Sequence, residues 1–464
     1  MGSFAYDVAM RDAVRCGLLL LAACGRIDFA AVASSAGASD AIDARTTPPS
    51  AMVLAPAPVD GQGVSNLSYE VDGTHLLFVD NAPGKNGNLV LFREGDGTGN
   101  LPAYVSTDAG VTWTRYLITP GNATNINVLG ACQDTVDHVF HMSWVDASLA
   151  DQAMDLAPSY SGGDITGFQV TTHYQFFDDG ADTPGPRDFA EVVDASGAHR
   201  LLFTGTAPST GSTGLVKLAV TTPAIGLHPT KQDSWAPATN QTSVGNDDQL
   251  LPNNATTSDL PTTYMITAGG NVSGGPTSPA IVVVGLPADR KLIAWLVTPI
   301  SGGNFTVSAP ITLSTAFGYG NSKRANASLS LASAPSGETF VLYSEDTGSN
   351  APGLHVAAFS ANGALTPDRY PQPTTSATVE HGVIGVDPSS TPSVIYSDVN
   401  GALSATYAWD GGWLPAVSAG NVSANLDGAW ALADPWQRGG APSFGVYYDR
   451  GSSMSTTFVD VTWQ

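Results

Sequence analysis

Positive charge is scarce in this sequence. It has 18 Lys and Arg against 41 Asp and Glu, and its formal net charge is −23. A chain this negative is a poor ligand for nucleic acid and for anionic membrane surfaces, which argues against both as partners. Only 6 of the acids are Glu, whereas about 35 are Asp. Asp is typical of turns, because its carboxylate can cap nearby backbone N–H groups.

Residues that favour helices are also few. Lys and Glu are scarce, while the sequence contains 50 Gly and 31 Pro, which separate short strands from one another. The composition therefore predicts an all-β fold without long amphipathic helices.

Cysteine is nearly absent, with three residues at positions 16, 24 and 132. The first two fall in a predicted export signal, so Cys132 is left alone and no intrachain disulfide is available. Cys132 follows the apolar run 126–131 and is expected in a core as a small hydrophobic residue. No His or other base is visibly paired with it, which argues against a thiol nucleophile.

The apolar run near the N-terminus is too short to span a bilayer. Residues 18–23 follow Arg11 and Arg15 and end at Cys24, which predicts a signal peptide. The tetrapeptide Leu21-Ala22-Ala23-Cys24 resembles the bacterial lipobox, and this resemblance implies cleavage before Cys24 and acylation of that residue. The alternative is an ordinary signal peptide with a fortuitous Cys. Translation could begin at Met1 or at Met10.

Three segments follow from this interpretation. Residues 1–24 are the lipoprotein signal, and residues 25–49, rich in Ala, Ser, Asp and Pro, are a disordered tether. Residues 50–464 form the globular domain. Gly25 stands where an Asp would resemble an inner-membrane retention signal, so the expected location is the bacterial cell envelope, with the outer membrane favoured.

Five short stretches close an apolar, β-branched run with an acid. They are Phe78-Val79-Asp80, Trp144-Val145-Asp146, Tyr343-Ser344-Glu345, Tyr396-Ser397-Asp398 and Tyr447-Tyr448-Asp449. Two further runs, Phe203-Thr204-Gly205 and Val283-Val284-Gly285, lack the acid. Successive runs are about 51 to 80 residues apart, which suits a repeated four-stranded sheet. The pattern predicts a seven-bladed β-propeller, with six blades as the alternative, in which each run is the second strand of its blade.

The last predicted blade is one strand short. It contains three strand-like runs before the chain stops at Gln464, and an exposed sheet edge is one that proteins usually protect. The strand-like segment 52–59 is therefore predicted to complete the last blade and to close the ring.

One segment points to a family. Ser106-Thr107-Asp108-Ala109-Gly110-Val111-Thr112-Trp113 resembles the Asp-box of sialidase-like propellers, whose pattern is S-x-D-x-G-x-T-W. The resemblance implies a structural turn between two strands, on the face opposite the active site. Ser106, Asp108, Gly110, Thr112 and Trp113 are its defining residues. The match is clean only once, whereas the family usually repeats it.

Acids at the ends of the repeated runs are the first candidate ligand-binding residues. If the second strands all end on one face, these acids surround the mouth of the central tunnel: Asp80, Asp146, Glu345, Asp398 and Asp449. Such a funnel would suit Ca²⁺, a cationic group or the hydroxyls of a sugar. Alternatively, each acid caps only its own turn.

Sialidase-like catalysis would need three Arg, a Tyr–Glu pair and an Asp acid. Three Arg fall in segments expected to be loops on the mouth side: Arg187, Arg324 and Arg450. Weak catalytic candidates are Glu191, Glu380 and Tyr447. The family's Arg-Ile-Pro signature is absent near the first blade, so no catalytic residue is assigned.

The expected function is that of an exported, lipid-anchored, monomeric propeller that binds or scaffolds a carbohydrate or protein ligand. The alternative is a sialidase-like glycoside hydrolase or other glycan-active enzyme at the same tunnel mouth, and an enzyme is the less favoured interpretation. The membrane is contacted through the lipid anchor alone. No cofactor is assigned, although Ca²⁺ would suit the acidic rim, and no metal ligands are assigned.

Overall fold

The computed structural model describes most of the globular domain, and residues 47–464 form one compact unit. The described residues are 47–53, 57–58, 77–83, 87–92, 100–119, 127–145, 151–175, 185–207, 215–221, 225, 235–236, 248–249, 265–272, 275, 278–286, 290–318, 328–345, 353–366, 379–398, 402–421, 431–432, 436–438, 441–450 and 455–464. The predicted signal and nearly all of the predicted tether lie outside them.

Two short strands, β1 (Ala51–Val53) and β2 (Ala57–Pro58), precede the first sheet. That sheet contains β3 (Leu77–Val79), β4 (Leu89–Phe92), β5 (Leu101–Ser106) and β6 (Thr114–Ile118). The second contains β7 (Asn127–Gln133), β8 (Phe140–Val145), β9 (Asp151–Ser161) and β10 (Asp164–Gln175). The third contains β11 (Gly185–Val193), β12 (His199–Ala207), β13 (Leu215–Thr221), β14 (Trp235–Ala236) and β15 (Asp248–Gln249).

The fourth sheet contains β16 (Met265–Gly270), β17 (Ala280–Leu286), β18 (Lys291–Pro299), β19 (Phe305–Val307) and β20 (Ile311–Ser314). The fifth contains β21 (Leu329–Ser333), β22 (Thr339–Glu345), β23 (Gly353–Phe359) and β24 (Leu365–Thr366). The sixth contains β25 (Val379–Val386), β26 (Pro392–Asp398), β27 (Ala402–Trp409), β28 (Gly412–Trp413) and β29 (Val417–Asn421). The last contains β30 (Ala431–Leu432), β31 (Trp436–Arg438), β32 (Ala441–Arg450) and β33 (Ser455–Trp463), together with β1 and β2.

All strands pair antiparallel, and the described residues contain no α-helix, only a 3₁₀ turn at Ser301–Gly303. No helix among them is long and apolar enough to cross a membrane. The fold is therefore all-β.

The sheets are layered in chain order. In each of the first six sheets, the strand that comes first in the chain lies at one edge, and in the last sheet β30 lies at the edge opposite β1. These strands, called first strands below, are β3, β7, β11, β16, β21, β25 and β30. From β7 to β30 each first strand contacts the next, and β30 also contacts β3. Side chains reinforce the contacts, since Asp188 Oδ2 accepts a hydrogen bond from Ala268 N at 2.9 Å between the third and fourth sheets.

The hydrophobic cores lie between neighbouring sheets. Phe78, Phe92 and Phe140 from the first two sheets pack edge to face with centroids 5.2–5.9 Å apart. Tyr407 of the sixth sheet stacks on Trp463 of the last at 5.4 Å. Strands that are buried on both faces have apolar residues at successive positions of the sequence. β4 and β17 are buried along their whole length, whereas the outer strand β6 is largely exposed.

The last sheet is built from both ends of the domain. β1 and β2 pair antiparallel with β33, with Ala51 opposite Trp463 and Ala57 opposite Phe458. Ser50 and Gln464 exchange two backbone hydrogen bonds of 2.7 and 2.8 Å. The segment predicted to supply the missing strand does pair at this edge, so β33 is not left exposed.

The strand assignment of the first sheet was wrong. The run ending at Asp80 was predicted as a second strand, but β3 is the first of the described strands in its sheet. The actual second strand, β4, was missed because its four buried residues form too short a run to show any alternation. The predicted first strand at 67–71 lies outside the described residues.

Candidate functional site

A cavity of about 400 Å³ opens where the first strands of six sheets end. Each of these six sheets, the first to the sixth, contributes lining residues, among them Asn81, Gln133, Glu191, Gly270, Ser333 and Asp387. Phe78, Phe189 and Val272 add apolar wall. The volume falls in the range of small-molecule sites, and the mixture of apolar surface with a few polar groups is typical of them.

Glu191 is a carboxylate held by several hydrogen bonds at the cavity wall. It is buried, and its Oε2 accepts a hydrogen bond from Thr135 N at 2.8 Å. Its Oε1 accepts from Thr135 Oγ1 at 2.8 Å and lies 2.5 Å from His199 Nδ1. His199 is 34% exposed. The second and third sheets thus hold this carboxylate between them, and the sequence had named it only as a weak catalytic candidate.

Asp80 joins the first two sheets behind the cavity. Its Oδ1 accepts hydrogen bonds from Gln133 Nε2 at 2.8 Å and from Tyr160 OH at 3.0 Å. Its Oδ2 accepts from Asn88 Nδ2 at 3.3 Å. Burial and the charge of Asp80 raise the pKa of the Tyr160 hydroxyl. Asp80 therefore supports the wall through Gln133.

Three turn aspartates near the cavity were not predicted as site residues from the sequence. Asp134, Asp194 and Asp387 each follow a first strand, and one carboxylate oxygen of each accepts backbone N–H groups of its own turn. The other oxygen bonds a side chain in each case: His141 at 2.9 Å, Arg200 at 2.6 Å and Tyr407 at 2.6 Å. The repeated Val-Asp-x-Ser at Val193 and Val386 is the signal that could have found two of them.

A buried ionic cluster lies behind Gln133. His141 donates from both sides, with Nε2 2.9 Å from Asp134 Oδ2 and Nδ1 2.7 Å from Asp155 Oδ1, and all three residues are buried. Burial alone would lower the pKa of His141, but its hydrogen bonds and the charges of both carboxylates raise that pKa to about 9. The same hydrogen bonds outweigh burial at Asp134 and lower its pKa. At neutral pH the imidazole is therefore charged.

Because of this cluster, we expect the free energy of unfolding to fall in mildly alkaline solution. The folded-state pKa of His141, about 9, lies above its ordinary value of 6.5, so the stabilisation is complete below pH 6.5 and is lost as the pH rises towards 9. Between pH 6.5 and pH 8.5 the free energy of unfolding should fall by about 2–3 kcal/mol. Denaturant unfolding at the two pH values measures this. A His141→Asn variant should show no such fall, and a wild-type protein equally stable at both would contradict the prediction.

Asp80 does not share one rim with Glu345 and Asp398. Glu345 and Asp398 are the last residues of second strands, which run antiparallel to first strands, whereas Asp80 follows a first strand. Glu345 Oε2 lies 3.2 Å from His355 Nε2, and Asp398 Oδ1 accepts a hydrogen bond from Ala402 N at 2.8 Å in its own turn. The prediction of one acidic ring was therefore wrong for Asp80, because its strand had been given the wrong position.

The remaining predicted site residues are placed only in part. Arg187 and Arg450, expected in loops, lie on β11 and β32. Glu380 lies on β25, and Tyr447 and Asp449 lie on β32, but the structure describes none of these five side chains. Asp146 and Arg324 lie outside the described residues.

Cys132 faces the cavity as a thiol. Burial and the nearby carboxylates of Glu191, Asp134, Asp188 and Asp155 raise its pKa well above the ordinary value. Since the thiolate is the reactive form, this residue is not equipped as a nucleophile. Within the described part of the chain, no group of three or more His, Cys, Asp and Glu could hold a metal ion.

The 106–113 turn joins β5 to β6 and is held by Asp108. Asp108 Oδ1 accepts hydrogen bonds from Ser106 Oγ and Thr112 N, both at 2.8 Å, and its Oδ2 accepts from Thr112 Oγ1 at 2.6 Å. These bonds outweigh burial and lower the pKa of Asp108. Every oxygen of this carboxylate serves the turn itself.

The same turn packs on the last sheet. Trp113 Nε1 donates to Gly110 O at 3.1 Å, and the indole meets the ring of Phe458 edge to face at 5.3 Å. Gly110 has φ +87°, and a Cβ at this position would lie 2.1 Å from Phe458 Cε1. Only glycine fits both the backbone conformation and the space.

Comparisons with known proteins give no family. No protein-family model and no curated protein matches this chain. Among solved structures, a protein of unknown function from Dyadobacter fermentans is similar at 12% identity and TM-score 0.45, over 89% of this chain and 99% of that one. Penicillium chrysogenum α-L-arabinanase in complex with arabinobiose is similar at 10% and 0.40, over 88% and 98%. Trypanosoma rangeli sialidase with the inhibitor DANA is similar at 10% and 0.41, over 90% and 60%. At such identities and TM-scores, these likenesses carry no argument about function.

Proposed function

We propose that the seven sheets are the blades of one β-propeller and that the protein binds a small, hydroxylated ligand such as a sugar in the cavity. The contact of β30 with β3 and the pairing of β1 with β33 support a closed ring. The cavity itself carries the functional part of the proposal, because six sheets converge on it. Its amide and hydroxyl groups at Asn81, Gln133, Thr135 and Ser333 suit hydroxyls.

Binding without turnover fits the chemistry of the wall. Glycoside hydrolysis ordinarily needs a pair of carboxyl groups free to act on the substrate. Glu191 and Asp387 are the carboxylates among the described lining residues, and both oxygens of each already accept hydrogen bonds. None of the described lining residues is Arg or Lys, so no bidentate clamp for a sugar carboxylate is available among them.

The proposed location is the cell envelope. The export-like N-terminus and the Leu21-Ala22-Ala23-Cys24 pattern support anchoring to the outer membrane through an acylated Cys24, and we propose that the anchored protein is a monomer. The 106–113 match supports a sialidase-like propeller with a structural turn. The carbohydrate or protein ligand is met outside the cytoplasm.

Filling the cavity is expected to abolish ligand binding. Ser333 lines the cavity and is exposed, so Ser333→Trp would place an indole in the site without disturbing a core. A glycan array followed by calorimetry on each hit should show at least about a tenfold loss of affinity. Gln169→Trp is the matched control, because Gln169 lies on the outer strand β10 and outside the cavity lining.

Turnover decides between the two functions. Hydrolysis assays on the same hits should detect none. Hydrolysis lost in Glu191→Gln would replace the binding proposal with a glycan-active enzyme, and hits unaffected by Ser333→Trp would move binding away from the cavity.

A further inference from the structure

The cavity wall is rich in carboxylates. Glu191 and Asp387 line it directly. Asp134 follows the lining residue Gln133 in the chain, Asp188 precedes the lining residue Phe189, and Asp80 is bonded to Gln133. Asp134 and Asp188 are completely buried, and Asp80 nearly so. Buried charges are weakly screened, so their field reaches into the cavity.

Few basic side chains lie at this wall among the residues that the structure describes. None of the described lining residues is Arg, Lys or His. Behind the wall, Arg200 is bonded to Asp194 at 2.6 Å, and His141 is shared between Asp134 and Asp155. His199 is bonded to Glu191 and reaches solvent. In the described part of the chain, the carboxylates Glu191, Asp387, Asp134 and Asp80 therefore outnumber the basic side chains bonded to them, His141 and His199.

The thiol of Cys132 lines the cavity near the same acids. After burial, the causes that raise its pKa are the negative charges of Glu191, Asp134, Asp188 and Asp155. These acids come from both the second and the third sheet. A cation placed beside this thiol would be stabilised by the charges that oppose the thiolate.

We propose that the cavity selects ligands that carry an ammonium group, an amino sugar above all, and rejects sugar acids. This inference rests on the proposed binding function and adds the ligand's charge. An ammonium group donates hydrogen bonds and accepts none, which suits a wall whose charged groups are the carboxylates of Glu191 and Asp387 among the described lining residues. The same chemistry could come from a lysine side chain.

Three monosaccharides with the same ring test the charge. Calorimetry of the full-length protein in detergent should give glucosamine an affinity at least about tenfold above glucose, with glucuronate the weakest. Added salt should weaken glucosamine binding more than glucose binding. Nα-acetyl-lysine amide is the fourth probe, and its binding in preference to glucosamine would identify a lysine side chain as the source of the ammonium group.

Two acid-to-amide variants localise the effect. Glu191→Gln should remove the preference for glucosamine, so that the glucosamine affinity of the variant is about equal to its glucose affinity. Asp410→Asn removes the same charge from an exposed turn beyond the cavity lining, and its φ of +50° is one that Asn tolerates. That control should bind like the wild type. If Glu191→Gln does not fold, the wild-type monosaccharide series still decides.

The outcomes separate the two proposals. Glucose bound as tightly as glucosamine, or glucosamine binding unchanged in Glu191→Gln, would overturn the charge selection and leave the binding function standing. No binding of any probe, together with an empty glycan array, would overturn both.

Discussion

Replacing His141 by Asn is expected to lower the free energy of unfolding by about 3–5 kcal/mol, because it leaves two buried carboxylates without their shared cation. Asp134 and Asp155 are both completely buried, and the imidazole bonds each of them at 2.9 and 2.7 Å. The shorter amide cannot bridge them and carries no charge. Urea unfolding followed by Trp fluorescence measures the loss.

His138→Asn is the matched control for that variant. His138 lies in the preceding turn with φ +59°, a conformation that Asn adopts readily. Among the described residues, its ring is bonded to Oδ1 of the exposed Asn81, at 2.7 Å, so the loss of unfolding free energy should stay below about 1 kcal/mol. If both variants cost the same, the ionic cluster would not be a major source of stability.

Gly110→Ala is expected to lower the free energy of unfolding by about 3 kcal/mol or more, because overpacking and a left-handed backbone conformation both destabilise the variant. The new methyl would overlap Phe458 Cε1 at 2.1 Å. Phe458 is buried against both Trp113 and the core of the first two sheets, so its ring has little room to move. Thermal and urea unfolding both report the effect.

Gly162→Ala isolates the backbone contribution. Gly162 has φ +61°, and no atom lies within 4 Å of the position that an alanine methyl would take. Only the left-handed conformation is therefore penalised, at about 1 kcal/mol. Adding Phe458→Leu to Gly110→Ala should recover part of the lost stability, because the smaller side chain makes room for the methyl group. If Gly110→Ala and Gly162→Ala lowered the free energy of unfolding equally, the turn would not be in tight contact with the last sheet.

The local elements followed largely from sequence. Apolar, β-branched runs separated by Gly and Pro gave strands in the second to sixth sheets, because strand formation depends on neighbouring residues and burial. The segment 52–59 was expected to pair with the last strand and does so at β33. Asp134, Asp194 and Asp387 were not predicted, because they follow first strands, whereas the repeated acid pattern marks the ends of second strands.

Sequence alone determined the all-β class, the positions of most strands and the turn chemistry of 106–113, since each depends on residues close together in the chain. Only the tertiary structure decided which acids share a site. Glu191 and Thr135 are 56 residues apart, and Gly110 and Phe458 come from opposite ends of the domain. Such pairs are made by the packing of one sheet on the next, and the spacing of residues along the chain does not encode which side chains that packing brings together.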